Sequence, residues 1–295
     1  MTVRIRPGWI GVVQAVAFSF AFGLIGFIIS TGLVVGYVAI VSPNFQAGLG
    51  DLKTPGGLQT LVQGMAQLIG FLVATVMIGK WVLGWTFRDL RWTGGRAATR
   101  GTLRGLGLGT GAAAVALATA VLLRTAFWSG DRGDLGDYAA QVIKTTVVLA
   151  PAALSEEVMF RGLPLVLVAL ALGRGPALLL VAGGLFSLLH GLNPNITPLA
   201  FLNIALAGIL LGVAFYTPGG IWTAFGTHLG WNATLAALDA PVSGMPFRIP
   251  FLDYHAGDPA WVSGGSFGPE GGVLATLALV GALAVARRWA REEAS

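Results

Sequence analysis

No charged residue interrupts the chain between Trp9 and Val41. As one helix, that apolar stretch would extend about 50 Å, longer than the roughly 30 Å hydrocarbon layer of a bilayer. It is too short for two full crossings, so it reads as one tilted or protruding membrane helix. It also exceeds the apolar region of a cleavable signal peptide, about 7 to 15 residues, and should remain in place. Further apolar runs cover Leu58 to Trp85, Leu106 to Trp128, Tyr138 to Leu172, Pro176 to Leu192, Thr197 to Tyr216, Gly220 to Leu238 and Gly271 to Ala286. Only 11% of the 295 residues are charged, against roughly 25% in soluble domains. The expected fold is therefore all-α, a single polytopic transmembrane bundle of about eight helices at roughly 20 apolar residues per span. No separate soluble domain fits in the remaining length.

Charge placement orients this bundle. The formal net charge is +5, and 15 of the 18 basic residues are arginines. They gather at Arg4 and Arg6, at Arg88, Arg91, Arg96, Arg100 and Arg104, and at Arg287, Arg288 and Arg291, beside apolar runs. Eight crossings put all three groups on one side, as the positive-inside rule requires, with both termini cytoplasmic. Reading Tyr138 to Leu172 as a two-span hairpin would put the C-terminal arginines on the wrong side. The acidic segment SGDRGDLGD should face outward. Basic flanks of spans touch anionic lipid, so membrane lipid is the expected partner and nucleic acid is an unneeded one. The Arg/Ala/Gly-rich composition points to a bacterial plasma membrane. With no cysteine, the chain has neither disulfides nor Cys-ligated zinc. SPNFQAGLGDLKTPGG reads as a turn-rich loop. Asp239 to Glu270 carries five prolines and reads as a structured loop. Residues 1–137 would hold three N-terminal helices, 138–240 a core of four apolar runs, and 241–295 the Pro-rich loop and last helix.

Inside this apolar frame stand residues that are expensive to keep there. PAALSEEVMFRGLPLVLVALAL contains Glu156, Glu157 and Arg161, and each charge in a bilayer costs a few kcal/mol. Helical neighbours diverge by about 100°, so the two glutamates have different surroundings, whereas Glu157 and Arg161 at i,i+4 share a face. Glu157 and Arg161 read as an ion pair bracing the helix, which leaves Glu156 as a general base. GGLFSLLHGLN sets Phe186 and His190 one turn apart, and TAFGTHLGWNATL does the same for His228 and Asn232. Glu156 with His190 could activate a water, while His228 and Asn232 could donate to the oxyanion of a tetrahedral intermediate. His190, His228 and Glu156 could equally hold zinc in a His₂Glu site with an open water position. His255, in the Pro-rich loop, reads as structural or interfacial.

Glu156-Glu157-x-x-x-Arg161, Phe186-x-x-x-His190 and His228-x-x-x-Asn232, in that order on separate helices, resemble the CPBP family of intramembrane proteases. This family, also called ABI, includes the type II CAAX prenyl endopeptidases. The resemblance covers roughly residues 138 to 240 with all three motifs intact. It implies a four-helix catalytic core in which Glu156 and His190 activate water and His228 and Asn232 stabilise the oxyanion, with Glu157, Arg161 and Phe186 in support. Family members have been described as metalloproteases and as metal-independent glutamic-type proteases, so zinc stays open. The implied activity is endoproteolysis of a membrane-associated protein or peptide. The rival readings are a non-enzymatic immunity or partner-binding protein that keeps the polar residues as a packing network, and a proton-coupled transporter using the Glu/His chain as a relay.

Overall fold

The structure, a computed structural model, describes residues 4–52 and 57–292. Helix α1 is Trp9–Val41 without a break, as the uninterrupted apolar run requires. Asn44 caps a short α2, Phe45–Asp51, by accepting from the Ala47 N–H. The expected turn-rich loop is thus partly helical, and its residues 53–56 lie outside the described residues. Helix α3, Gly57–Ala74, continues as a π-helical stretch, Thr75–Val82. Helix α4 spans Gly95–Leu122, so Arg96, Arg100 and Arg104 ride on its first turns rather than in a basic loop. Arg91 instead donates from Nε to the Phe215 carbonyl (2.9 Å) and from Nη2 to that of Thr217 (3.0 Å), tying its loop to the far end of the chain.

Strand β1, Ala126–Gly130, follows α4, so the third apolar run ends as a strand carrying Trp128. It pairs antiparallel with β2, Leu252–Ala256, a short ribbon in an otherwise helical fold. Asp134 then starts α5, Leu135–Glu157, with a reciprocal capping box shared with Asp137. Pro151 lies within α5. A π-helical turn, Val158–Gly162, and α6, Leu163–Leu172, complete that run, with Pro164 in the first turn of α6. After α7, Arg174–Ala177, a third π-helical stretch, Leu178–Leu185, leads into α8, Phe186–His190. Helices α9, Pro198–Phe215, and α10, Ile221–Ala237, precede β2; α11, Ala260–Ser263, and α12, Val273–Glu292, close the described chain.

Every one of the eight apolar runs is largely helical. Five helical segments among the described residues are long and apolar enough to cross a bilayer: Trp9–Val41, Gly57–Val82, Gly95–Leu122, Pro198–Phe215 and Val273–Arg291. The others fall short for visible reasons. Helix α5 carries Asp137, Lys144, Glu156 and Glu157, and α10 has only 17 residues, about 26 Å of helix. Large apolar side chains such as Phe20, Ile40, Leu188 and Leu192 point outward, which in a bilayer is contact with lipid rather than with water.

Glycines on both helices bring α4 and α10 into close contact. Gly101, Gly105 and Gly109 on α4 meet the α10 side chiefly at Gly219, Thr223 and Thr227, while Gly226 and Gly230 meet α4 backbone at Thr102 and Leu106. A Cβ on Gly230 would lie 2.6 Å from the Leu106 carbonyl oxygen, so only glycine permits this approach. His228, midway between Gly226 and Gly230, is turned about 200° away from that seam. It therefore faces the glutamates of α5.

Candidate active site

The site begins where α5 changes its winding. Glu156 and Glu157 are the last α-helical residues before the π turn, whose extra residue per turn resets the direction of the side chains that follow. Glu157 and Arg161, both in the fully buried class, pair at 3.3 Å from Nη1 to Oε1. The guanidinium also donates from Nη2 to the Gly208 carbonyl (3.0 Å) and lies 4.4 Å from the Phe186 ring centroid. Arg161 thereby links α5, α8 and α9.

Glu157 does more than brace its own helix. Its Oε1 also accepts from His228 Nδ1 at 2.8 Å. That bond places the His228 proton on Nδ1 and turns Nε2 toward Glu156. His190 is fixed in the same sense: Nδ1 donates to the Phe186 carbonyl at 2.7 Å, because a carbonyl can only accept. Phe186, expected to support the site, packs its ring 4.4 Å from the His190 ring and so lies between Arg161 and His190.

Both free ring nitrogens face one atom. Glu156 Oε2 lies 3.7 Å from His190 Nε2 and 3.8 Å from His228 Nε2. The oxygen is buried and accepts no hydrogen bond, although the Glu156 side chain as a whole is 27% exposed. Asn232, one turn beyond His228, lines the same cavity of about 310 Å³ together with Glu156, His190 and His228. All four residues expected to do chemistry are therefore brought together. His255 is not among them: it stacks on Phe127, and its Nε2 approaches both Ser129 Oγ (2.8 Å) and Asp253 Oδ2 (3.4 Å). One nitrogen serving both neighbours is not a serine-histidine-aspartate relay, which needs the two ring nitrogens separately.

Two imidazoles and a carboxylate are suitable zinc donors in kind. Tetrahedral zinc with bonds of about 2.0–2.1 Å, however, sets its ligands roughly 3.3 Å apart. The separations of 3.7 and 3.8 Å exceed that, and no three His, Asp or Glu side chains among the described residues converge as a metal-holding group. The donors match zinc in kind, and their spacing is about 0.4 Å wider than tetrahedral coordination sets.

Other wall residues lie outside the three motifs. Gln67 of α3 accepts from Ser155 Oγ at 3.3 Å, and Asn193 donates to the Ser243 carbonyl at 3.0 Å; both line the cavity. Glu270, at the end of the Pro-rich segment, lines an adjoining cavity with His190, His228 and Asn232. Burial pushes the Glu270 pKa above the ordinary carboxylate value, against donors from Ser243 and Trp231 that pull it down. Asn193 carried a weak signal, three residues after His190; Gln67 and Glu270 carried none.

A family model described as type II CAAX prenyl endopeptidase, Rce1-like, matches residues 138–234. That span contains the three motifs and the four convergent side chains. The match spans about a third of the chain and is a similarity to CAAX-type proteases, the group that the three motifs resemble. Helices α1 to α4 and the Pro-rich segment fall outside the matched residues. No curated protein and no solved structure gives a significant match. The five apolar helices and this similarity together support an integral membrane protein.

Proposed function

We propose that this protein is an intramembrane endopeptidase of the CPBP family and of the glutamic type, with Glu156 as its general base. The observation that carries the reading is the buried, unpartnered Glu156 Oε2, faced by two Nε2 atoms whose rings are each held through Nδ1. A water there donates one hydrogen to Glu156 Oε2 and the other to His190 Nε2, leaving an oxygen lone pair for the scissile carbonyl carbon. As the C–O bond forms, Glu156 takes the proton. The oxyanion is met by Asn232 and by His228 Nε2, which donates when that ring carries both protons; Glu157 at Nδ1 balances the charge. Collapse of the intermediate breaks the C–N bond, and the proton on Glu156 passes to the departing amine.

A packing network without chemistry accounts for Glu157 Oε1, Arg161 and His228, which bond through that one oxygen, while Glu157 Oε2 and Arg161 Nε are buried without a partner. It gives no role to Glu156, whose inner oxygen bonds nothing, or to Asn232 on the cavity wall. The substrate is proposed to be a membrane-associated peptide or protein. The family model's description makes a farnesylated CAAX peptide the first probe and its unprenylated counterpart the second. Purified protein in liposomes should cleave at least one of the two, with the rate unchanged after chelation with EDTA or 1,10-phenanthroline. Loss of cleavage on chelation, restored by zinc, would transfer Glu156, His190 and His228 to a metal site. No cleavage of either probe, together with identical membrane proteomes in cells with and without the protein, would remove the protease reading.

A further inference from the structure

Glu270 lies outside the residues that match the family model, and the mechanism above does not use it. Its surroundings connect both histidine-bearing helices. Oε1 accepts from Trp231 Nε1 at 3.1 Å, and Trp231 is the immediate neighbour of Asn232 on α10. Oε2 accepts from the Ser243 backbone N–H. The Ser243 carbonyl in turn accepts from Asn193 Nδ2 at 3.0 Å, three residues beyond His190. Behind the carboxylate, Asn203 of α9 donates to the Glu270 carbonyl at 2.8 Å and to the Gly272 carbonyl at 2.9 Å, while accepting from Thr276 Oγ1 at 2.7 Å. One buried carboxylate is thus anchored to α9 and α12 and reaches α10 on one side and the end of α8 on the other.

We propose that Glu270 is a positioning residue of the active site: it latches the Pro-rich segment across the cavity and holds the His190 and His228–Asn232 walls at their working separation. The proposal rests on the proteolytic reading for its kinetic consequence but not for its structural one. Both Glu270 oxygens receive N–H donors, so the side chain must offer two acceptors. Glutamine has nearly the same shape but one carbonyl oxygen, and its NH₂ group would face either the Trp231 indole N–H or the Ser243 N–H, donor against donor. A residue needed only for bulk would accept the exchange.

The test compares full-length wild type, Glu270→Gln and Trp231→Phe in detergent micelles by amide hydrogen exchange, and in liposomes by cleavage of the farnesylated and unprenylated CAAX peptides. Glu270→Gln should exchange at least tenfold faster at 241–247 and 190–195, with α1 and α3 unchanged, and its kcat should fall at least tenfold while KM stays within twofold. Trp231→Phe removes only the indole donor; it should open the α10 side alone and cost less in kcat. Wild-type exchange in Glu270→Gln at both segments would overturn the proposal. So would faster exchange spread evenly over the chain, which would make Glu270 a general stability residue. If wild type cleaves neither peptide, the fault lies with the proteolytic reading, and the exchange comparison still decides whether the latch exists.

Discussion

Substituting Arg161 and Glu157 singly and together tests whether the buried pair acts as one unit. Both side chains are fully buried, and Glu157 Oε1 is shared between Arg161 at 3.3 Å and His228 at 2.8 Å. Arg161→Met removes the cation and leaves the buried Glu157 carboxylate with His228 Nδ1–H as its remaining partner, at a cost of about 3–5 kcal/mol. Glu157→Gln strands the guanidinium instead, with the Gly208 carbonyl and the Phe186 face as its remaining partners, at a similar cost. The double variant strands neither charge and keeps an amide oxygen for His228 Nδ1. It should therefore be no less stable than the weaker single variant, giving a coupling of roughly 3 kcal/mol or more. The assay is equilibrium unfolding in mixed micelles titrated with denaturing detergent, followed by tryptophan fluorescence. Costs of the two single changes that add within about 0.5 kcal/mol would refute the coupled network.

Other expectations follow from separate parts of the structure. Gly226→Leu drives a side chain into the α4 backbone near Thr102 and Leu106; it should cost about 1–3 kcal/mol or more and displace His228, lowering activity. Gly107→Leu on α4, where a Cβ meets nothing within 4 Å, should leave both melting temperature and cleavage rate near wild type. Tyr254, in β2, has its hydroxyl buried without a partner, and burial pushes its pKa up to about 12 from 10.0. The folded state therefore holds this proton longer than the unfolded one, so stability falls as pH rises from about 10 to about 12. An ultraviolet titration of wild type minus Tyr254→Phe should show a step near 12; a step near 10 would mean that the ring is not buried.

Helix positions were readable because apolar runs and charge breaks encode them directly. Trp9–Val41 coincides with α1, and each motif pair at i,i+4 lies on one helical stretch. Convergence of Glu156, His190, His228 and Asn232 followed from motif order and the family resemblance, not from any local rule. The i,i+4 rule found Arg161 for Glu157 but could not reveal His228, a partner 71 positions away. The three π-helical stretches share no sequence signature: one carries Lys80, another Arg161 and the third no charge. The β1–β2 ribbon joins Phe127 to His255 across the whole core, and strand pairing at that separation leaves no trace in either short segment. Glu270 looked like one more polar residue of a Pro-rich loop, and only the folding of that loop over α10 buries it.

The central claim is that Glu156 is the base. The direct measurement is the single-turnover cleavage rate of Glu156→Gln beside wild type, in the same liposomes and at matched exchange protection, using the peptide that wild type cleaves. Loss of the proton acceptor, with shape and polarity kept, should lower the rate by about 10²- to 10⁴-fold. A folded Glu156→Gln protein cleaving within threefold of wild type would contradict the account.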